Sequence, residues 1–240
     1  MLSSDPAIQA AHEVFAEAPL SKGRKAQCAR PTEKDGLDTS FTLTFVSDYR
    51  ISGISSSGKA PALQGSVDVE DASGWSAGLW ASNIKEFAGS SVEVDLYAAR
   101  SFDIGATEAS LGATLIYLPG GENINVGLLT GGLARAIGPF DASLDVRYAW
   151  PQSELGGDDD IYVTIGADSP IGRFAGAALT LGASVGYEEG VFVAEGAKLD
   201  WSVSLTAEVA GVELGLAYVD TDVRDENGDA ACVFSISRTF

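Results

Sequence analysis

From Ser40 to the last residue, apolar and polar side chains alternate with a period of two. That period marks strands with one greasy and one wet face. Twelve segments carry it, approximately 40–51, 61–70, 74–84, 91–102, 106–117, 123–135, 140–149, 159–169, 176–187, 197–209, 211–220 and 231–240. In the first, Phe41, Leu43, Phe45 and Tyr49 share one face, and Thr42, Thr44, Asp48 and Arg50 the other. The fourth sets Val92, Val94 and Leu96 against Glu93, Asp95 and Tyr97. In the tenth, Leu199, Trp201, Val203 and Leu205 oppose Asp200, Ser202, Ser204 and Thr206. No amphipathic helix of useful length interrupts the series, so the pattern predicts an all-β chain after residue 40.

The connections carry a second rhythm. Tight turns fall at Asp71-Ala72-Ser73, Asp103-Ile104-Gly105, Ile137-Gly138-Pro139 and Ala210-Gly211. Longer, polar links span 52–60, 85–90, 118–122, 151–158, 188–196 and 221–230, with 170–175 the odd member on the short side. Short turns alternating with long loops are the habit of outer-membrane barrels. A soluble sandwich with Greek-key crossings has no reason to adopt it. Aromatics collect at segment ends (Tyr49, Trp75, Phe102, Tyr117, Phe140, Tyr148, Trp150, Tyr187, Tyr218, Phe240) and Leu, Val and Ala fill the middles. Amphipathic rings at both interfaces form the girdles of a membrane barrel. The fold expected is therefore a transmembrane, antiparallel, up-and-down β-barrel of about twelve strands over residues 40–240, preceded by an arm. A soluble β-sandwich is the competing reading.

Composition narrows the partners. Lys and Arg number 15 and Asp and Glu 34, a formal net charge of −19, which argues against nucleic acid. No run of about 18 apolar residues exists, so no transmembrane helix is predicted. The mean hydropathy of +0.11 suits strands whose two faces average out. Cys28 and Cys232 lie far apart and have no metal-ligand spacing. That leaves a disulfide open and predicts no metal or other cofactor.

Residues 1–39 read differently. Asp5-Pro6 can open a short helix with Ile8, Ala11, Phe15 and Ala18 on one face. A basic stretch follows, from Lys22 to Lys34. The arm is read as a periplasmic tail or as a plug entering an acidic lumen. Residues 1–20 lack the cationic and apolar regions of a secretory signal, so an exported protein is expected to appear here in mature or truncated form, or with a misplaced start.

Three stretches carry a family likeness: Phe45-Val46-Ser47-Asp48-Tyr49-Arg50-Ile51-Ser52-Gly53-Ile54-Ser55, Pro61-Ala62-Leu63-Gln64-Gly65, and Ser73-Gly74-Trp75-Ser76-Ala77-Gly78-Leu79-Trp80-Ala81-Ser82-Asn83. They resemble the opening of the TorF family of porins from Gram-negative bacteria. The last ten residues, with Arg238 two places before Phe240, resemble that family's closing strand. Ser52 stands where the family usually has Arg. The resemblance implies export to the outer membrane and passive transport, and brings no catalytic residues. The partners it implies are outer-membrane lipid and lipopolysaccharide, the barrel assembly machinery and small hydrophilic solutes. Phe234, Ile236 and Phe240 would form the assembly signal.

Candidate chemistry adds little to a catalytic reading. A lipid hydrolase needs a Ser activated by His, and the single histidine, His12, sits in the arm. Asp220-Thr221-Asp222-Val223-Arg224 begins like a calcium loop but puts Arg224 where a ligand oxygen is needed. Asp158-Asp159-Asp160 and Glu188-Glu189 read as solvated loop charges. The informative set is the inward face. Parity places Asp48, Asp68, Glu70, Glu93, Asp95, Asp145, Asp200, Glu208 and Glu213 inside, against Arg50, Arg147 and Lys198. Such charges must face a wet lumen or pair with one another. Rings of carboxylates favour cations. The expected function is a narrow, cation-preferring, porin-like channel and not an enzyme; the rival is a non-conducting structural barrel whose loops bind other surface molecules.

Overall fold

The computed structural model describes residues 36–120, 124–194 and 196–240; the proposed arm helix, the basic stretch, His12 and Cys28 lie outside them. In chain order the strands are β1 (Asp38–Val46), β2 (Arg50–Ile51), β3 (Ile54–Ser55), β4 (Ala62–Glu70), β5 (Trp75–Phe87), β6 (Ser90–Ile104) and β7 (Thr107–Leu118). They continue as β8 (Ile124–Ile137), β9 (Phe140–Ala149), β10 (Asp160–Phe174), β11 (Ala177–Gly190), β12 (Ala197–Val209), β13 (Val212–Thr221) and β14 (Ala231–Thr239). Twelve of these form one closed antiparallel barrel, while β2 and β3 make a separate small hairpin. A closed barrel leaves no unpaired strand edge, the condition for crossing hydrocarbon with strands.

The outer face is apolar. Leu43, Leu96, Leu111, Leu129, Ile165 and Leu216 are exposed along strand middles. At the end of the barrel where the tight turns lie (the turn end), Trp75, Phe102, Phe140, Phe174 and Phe240 stand exposed. At the opposite, loop end the outer rings are Tyr148, Trp150, Tyr187 and Tyr218. Three of those tyrosines donate to acids: Tyr148 to Asp159 at 3.1 Å, Tyr187 to Glu189 at 2.7 Å and Tyr218 to Asp220 at 2.9 Å. Phenolic groups that lean toward water while the ring stays in the belt are the expected compromise at an interface. Cys232 is a free thiol on this exposed outer face.

The barrel closes where β1 meets β14. Their register runs over five pairs, from Thr42↔Thr239 to Val46↔Ser235, against nine between β1 and β4. Both ends of the short seam are fastened. Phe41 and Phe240 exchange backbone hydrogen bonds of 3.2 and 2.8 Å, and Ser47 and Phe234 bond at 2.8 Å through the backbone and 2.9 Å through the Ser47 hydroxyl. The Phe41 and Phe240 rings pack with centroids 6.2 Å apart, and the Arg238 guanidinium lies 4.9 Å over the Phe240 ring. Phe234, Ile236 and Phe240 all point outward and are exposed.

Several sequence expectations are corrected. The first segment does not run to residue 51: β1 ends at Val46, and the chain then turns into the barrel. The link over 85–90 is not a loop, because β5 and β6 continue to Phe87 and Ser90 around a tight Ala88-Gly89 turn. The odd link at 170–175 disappears, since β10 runs to Phe174 and absorbs Pro170 in a bulge before Gly172. Not every aromatic faces outward in a girdle. Trp80 and Tyr162 are buried inside the barrel, and Tyr49 lies there too instead of in the girdle.

Turn chemistry holds the turn end. At the β4–β5 turn the Asp71 carboxylate accepts from the Ser73 hydroxyl at 2.8 Å and from the Ser73 and Trp75 backbone N–H groups at 2.9 and 3.0 Å. Those bonds, the Ser73 hydroxyl first, hold its carboxyl below the usual range. Gly74 has φ +89°, and a Cβ there would collide with the Ser101 carbonyl; Gly105, at φ +66°, has open space around it. Gly105→Val should cost about 1–2 kcal/mol, the price of left-handed backbone alone. Gly74→Val should cost clearly more, read as a lower urea midpoint of unfolding in detergent micelles, because the neighbouring strand must also move.

Candidate lumen constriction

Where the inward side chains are small, the lumen is open. Toward the turn end the inward positions include Ser40, Thr42, Ser66, Ser76, Gly112 and Gly132, partly exposed and mostly polar. Toward the loop end the interior fills. Val46, Trp80, Ile84, Ile116, Leu118, Val126 and Leu128 point inward and join Tyr49, Ile51, Leu155, Val191 and Phe192, contributed by the hairpin and loops, in one buried apolar cluster. The barrel is thus a cup: wet at the turn end and stoppered at the loop end.

The stopper is the segment 47–61. Ser52 (φ 46°) and Gly53 (φ 86°) form the tip of the β2–β3 hairpin, a two-residue turn with both residues left-handed, which matches strand twist. Gly is required here. A Cβ on residue 53 would lie 2.8 Å from Thr221 Cβ and 3.0 Å from Asp200 Cβ, so the tip is pressed onto the barrel wall. Asp48 organises the base: it accepts from Arg50 Nε at 2.6 Å, Ser55 at 2.6 Å and Ser57 at 3.3 Å. Arg50 also donates to the Gly53 carbonyl at 3.0 Å and the Asp229 carbonyl at 2.7 Å. Outer loop 222–230 clamps the same hairpin through Ser55 N–H to the Asn227 carbonyl at 3.0 Å and Lys59 to Asp229 at 3.0 Å. Lys85 N–H donates to the Ser56 carbonyl at 2.9 Å.

Two wall cations meet the tip. Arg147 Nη2 donates to the Ser52 hydroxyl at 3.0 Å, and Lys198 Nζ to the Ser52 carbonyl at 2.8 Å. Arg147 lies 4.3 Å and Lys198 5.8 Å over the face of Tyr162. The Tyr162 hydroxyl donates to Asp200 at 3.0 Å. Lys198 is also ion-paired with Glu188, both side chains being buried. An arginine at position 52 would have set a third cation against these two; serine offers them two oxygens instead.

Asp48 and Arg50 therefore sit on the inward hairpin and not on the wall. Glu93, Asp95, Arg147 and Asp200 are buried inside at the loop end. Asp68 lies lower on the inward face, taking the Tyr97 hydroxyl and, at 2.8 Å, the Ser66 hydroxyl. Asp145, on β9 two residues from Arg147, faces the open half beside Gly132. Glu70, Glu208 and Glu213 lie near the turn rim, where Glu208 and Glu213 stand directly opposite one another. The structure thus divides the set: one group gathers around the stopper, the other lines the open half. Sequence reasoning missed Asp160 and Glu188, read as solvated loop charges. Both are buried, because β10 begins at Asp160 and β11 extends to Gly190; Asp160 accepts from Phe192 N–H at 3.1 Å. Continuing the two-residue parity of β11 to residue 188 would have found Glu188.

Among the described residues no group of His, Cys, Asp and Glu side chains is arranged to hold a metal ion. A family model described as a bacterial protein of unknown function (Gcw_chp) matches residues 31–240. No curated protein matches the sequence. Solved barrels share the fold. The NanC porin superposes with a TM-score of 0.54 at 11% identity, covering 85% of this chain and 99% of that one. The KdgM porin, solved with disordered oligogalacturonate, gives 0.55 at 10% identity over 84% and 97%. The COG4313 outer membrane channel from Pseudomonas putida F1 gives 0.50 at 11% identity over 84% and 95%.

Removing one partner of a buried ion pair leaves a stranded charge, whereas replacing both by apolar groups is often close to neutral. Lys198→Met should accordingly destabilise the barrel by about 3–5 kcal/mol in urea unfolding. The double variant Lys198→Met/Glu188→Leu should recover the part owed to the stranded Glu188 charge, while the bond from Lys198 to the Ser52 carbonyl stays lost.

Proposed function

The chain belongs to the Gcw_chp family, and from that premise and the barrel's anatomy we propose that it is an outer-membrane channel of Gram-negative bacteria for passive diffusion of small hydrophilic solutes, with a preference for cations. The observation that carries this reading is the contrast between an apolar exterior and an interior that is polar in its open half and carries buried acids beside the apolar stopper. At the loop end Glu93, Asp95, Asp160, Glu188 and Asp200 outnumber Arg147 and Lys198, and Asp68 and Asp145 continue the negative lining below. Such a field lowers the energy of a permeating cation and raises that of an anion. The likeness of residues 45–83 to TorF porins supports the same role. On this reading the protein is not an enzyme. Its apolar belt meets outer-membrane lipid, its loop rim faces lipopolysaccharide, and Phe234, Ile236 and Phe240 are displayed outward for the barrel assembly machinery.

The packed loop end favours one refinement: the hairpin is the constriction, and flux requires it to move aside. The same packing is the observation that favours a second reading, a non-conducting structural barrel. A tether separates them. A Cβ on Gly58 would lie 3.4 Å from Lys85 Cβ, close to the ~3.5–4.5 Å of disulfides. Gly58→Cys/Lys85→Cys, with Cys28 and Cys232 changed to Ser, should conduct in planar bilayers when reduced and lose most of its current when oxidised. The reversal potential in a salt gradient should be that of a cation-preferring pore. Anion preference would refute the selectivity, and absence of solute flux in liposome swelling for both redox forms would establish the structural barrel.

A further inference from the structure

The wall beneath the hairpin carries buried carboxyl groups that the chain's own donors do not satisfy. Asp95 is the extreme case. It is 0% exposed, its position on β6 directs it into the lumen, and neither carboxylate oxygen has a hydrogen-bond partner among the described residues. Glu93, two residues along on the same face, is also 0% exposed; its Oε1 takes the Tyr49 hydroxyl at 3.4 Å and its Oε2 is unpartnered. The Arg147 Nη2 is committed to Ser52, and no hydrogen bond joins that guanidinium to Asp95. A buried carboxylate without partners is costly, so the group either holds a proton or draws a cation to it.

The surroundings specify what kind of cation. Strand register places Trp80 directly opposite Asp95 on one side and Ile116 on the other, and both are buried inward residues. The Tyr49 ring packs on Trp80 with centroids 5.4 Å apart at 56°. A hydrated metal ion would find no third acid, His or Cys converging with this pair. A cation bearing carbon would find an aromatic face, an aliphatic wall and free carboxylate oxygens side by side. The lumen already uses such chemistry for its own cations, with Arg147 and Lys198 both held over Tyr162.

We propose that Asp95 and Glu93, with Trp80, Tyr49 and Ile116, form a binding site for an alkylammonium group, reached from the open half of the lumen as the hairpin carrying Tyr49 shifts. The preferred solutes are then small protonated amines. Their transport rests on the channel reading above; the binding does not.

The test is calorimetric titration of n-butylammonium chloride into the full-length folded barrel in detergent, with sodium chloride as competitor. Wild type should bind, Asp95→Asn should weaken binding at least tenfold, and Trp80→Leu should weaken it severalfold while leaving the charge in place. Trp80→Leu thus decides the matter even if Asp95→Asn fails to give a folded, heat-modifiable band. Absence of binding to wild type, or equal affinity in wild type and both folded variants, would overturn the site. Competition by sodium at the same concentration would reduce it to an alkali-ion site and overturn the alkylammonium assignment. Asp95-dependent binding by a barrel that passes no current would keep the site and remove the transport reading.

Discussion

The seating of the Ser52–Gly53 tip between Arg147, Lys198 and the Thr221 wall is the contact on which the rest of this barrel depends. Those two cations are the buried ones on the wall at the loop end, which also carries five buried acids, Glu93, Asp95, Asp160, Glu188 and Asp200. By giving each cation an oxygen, Ser52 fixes where both point, which in turn decides which acids are satisfied. Glu188 is paired; Asp95 is left open. The same contact carries Tyr49 and Ile51 into the apolar cluster, so the hairpin is held by burial as well as by charge. Electrostatic latch and hydrophobic stopper are a single structure.

This division of labour explains the two halves of the lumen. Twelve strands enclose more space than small side chains can fill. At the turn end most inward residues are Ser, Thr, Gly and Ala, with acids such as Asp68 and Asp145 among them, and the space stays open. At the loop end the wall switches to Trp80, Ile84, Ile116, Val126 and Leu128, and the returning hairpin supplies the missing volume. On the proposed channel reading, the constriction is the hairpin segment and not a ring of wall residues.

Much of the barrel is legible in the sequence because its two environments impose the two-residue period. Outward-facing Leu43 and Phe45 alternate with lumen-facing Thr42 and Thr44, and the same logic recovers all twelve wall strands to within a few residues at most ends. The direction of the chain after Val46 is not legible that way. Asp48, Tyr49, Arg50 and Ile51 continue the alternation, and a strand climbing the wall looks the same as a hairpin turning into the lumen. The cue that remains is Ser52-Gly53, a turn requiring left-handed backbone close to where a strand was expected to end. Glu188 and Asp160 were missed for a related reason. Acidic residues beside glycines read as loop, yet a buried lysine and a backbone N–H hold them inside extended strands. The Ala88-Gly89 turn misleads in the opposite sense, since a small polar stretch is enough for a two-residue connection and does not need a loop.

The most direct measurement of the central claim is the single-channel conductance of a variant in which residues 50–55 are replaced by a short glycine linker, compared with the intact chain. If the hairpin is the constriction, the variant conducts with a several-fold larger unitary current and retains its cation preference, because the wall acids remain. A unitary current equal to that of the intact chain would contradict the account and place the barrier elsewhere in the lumen.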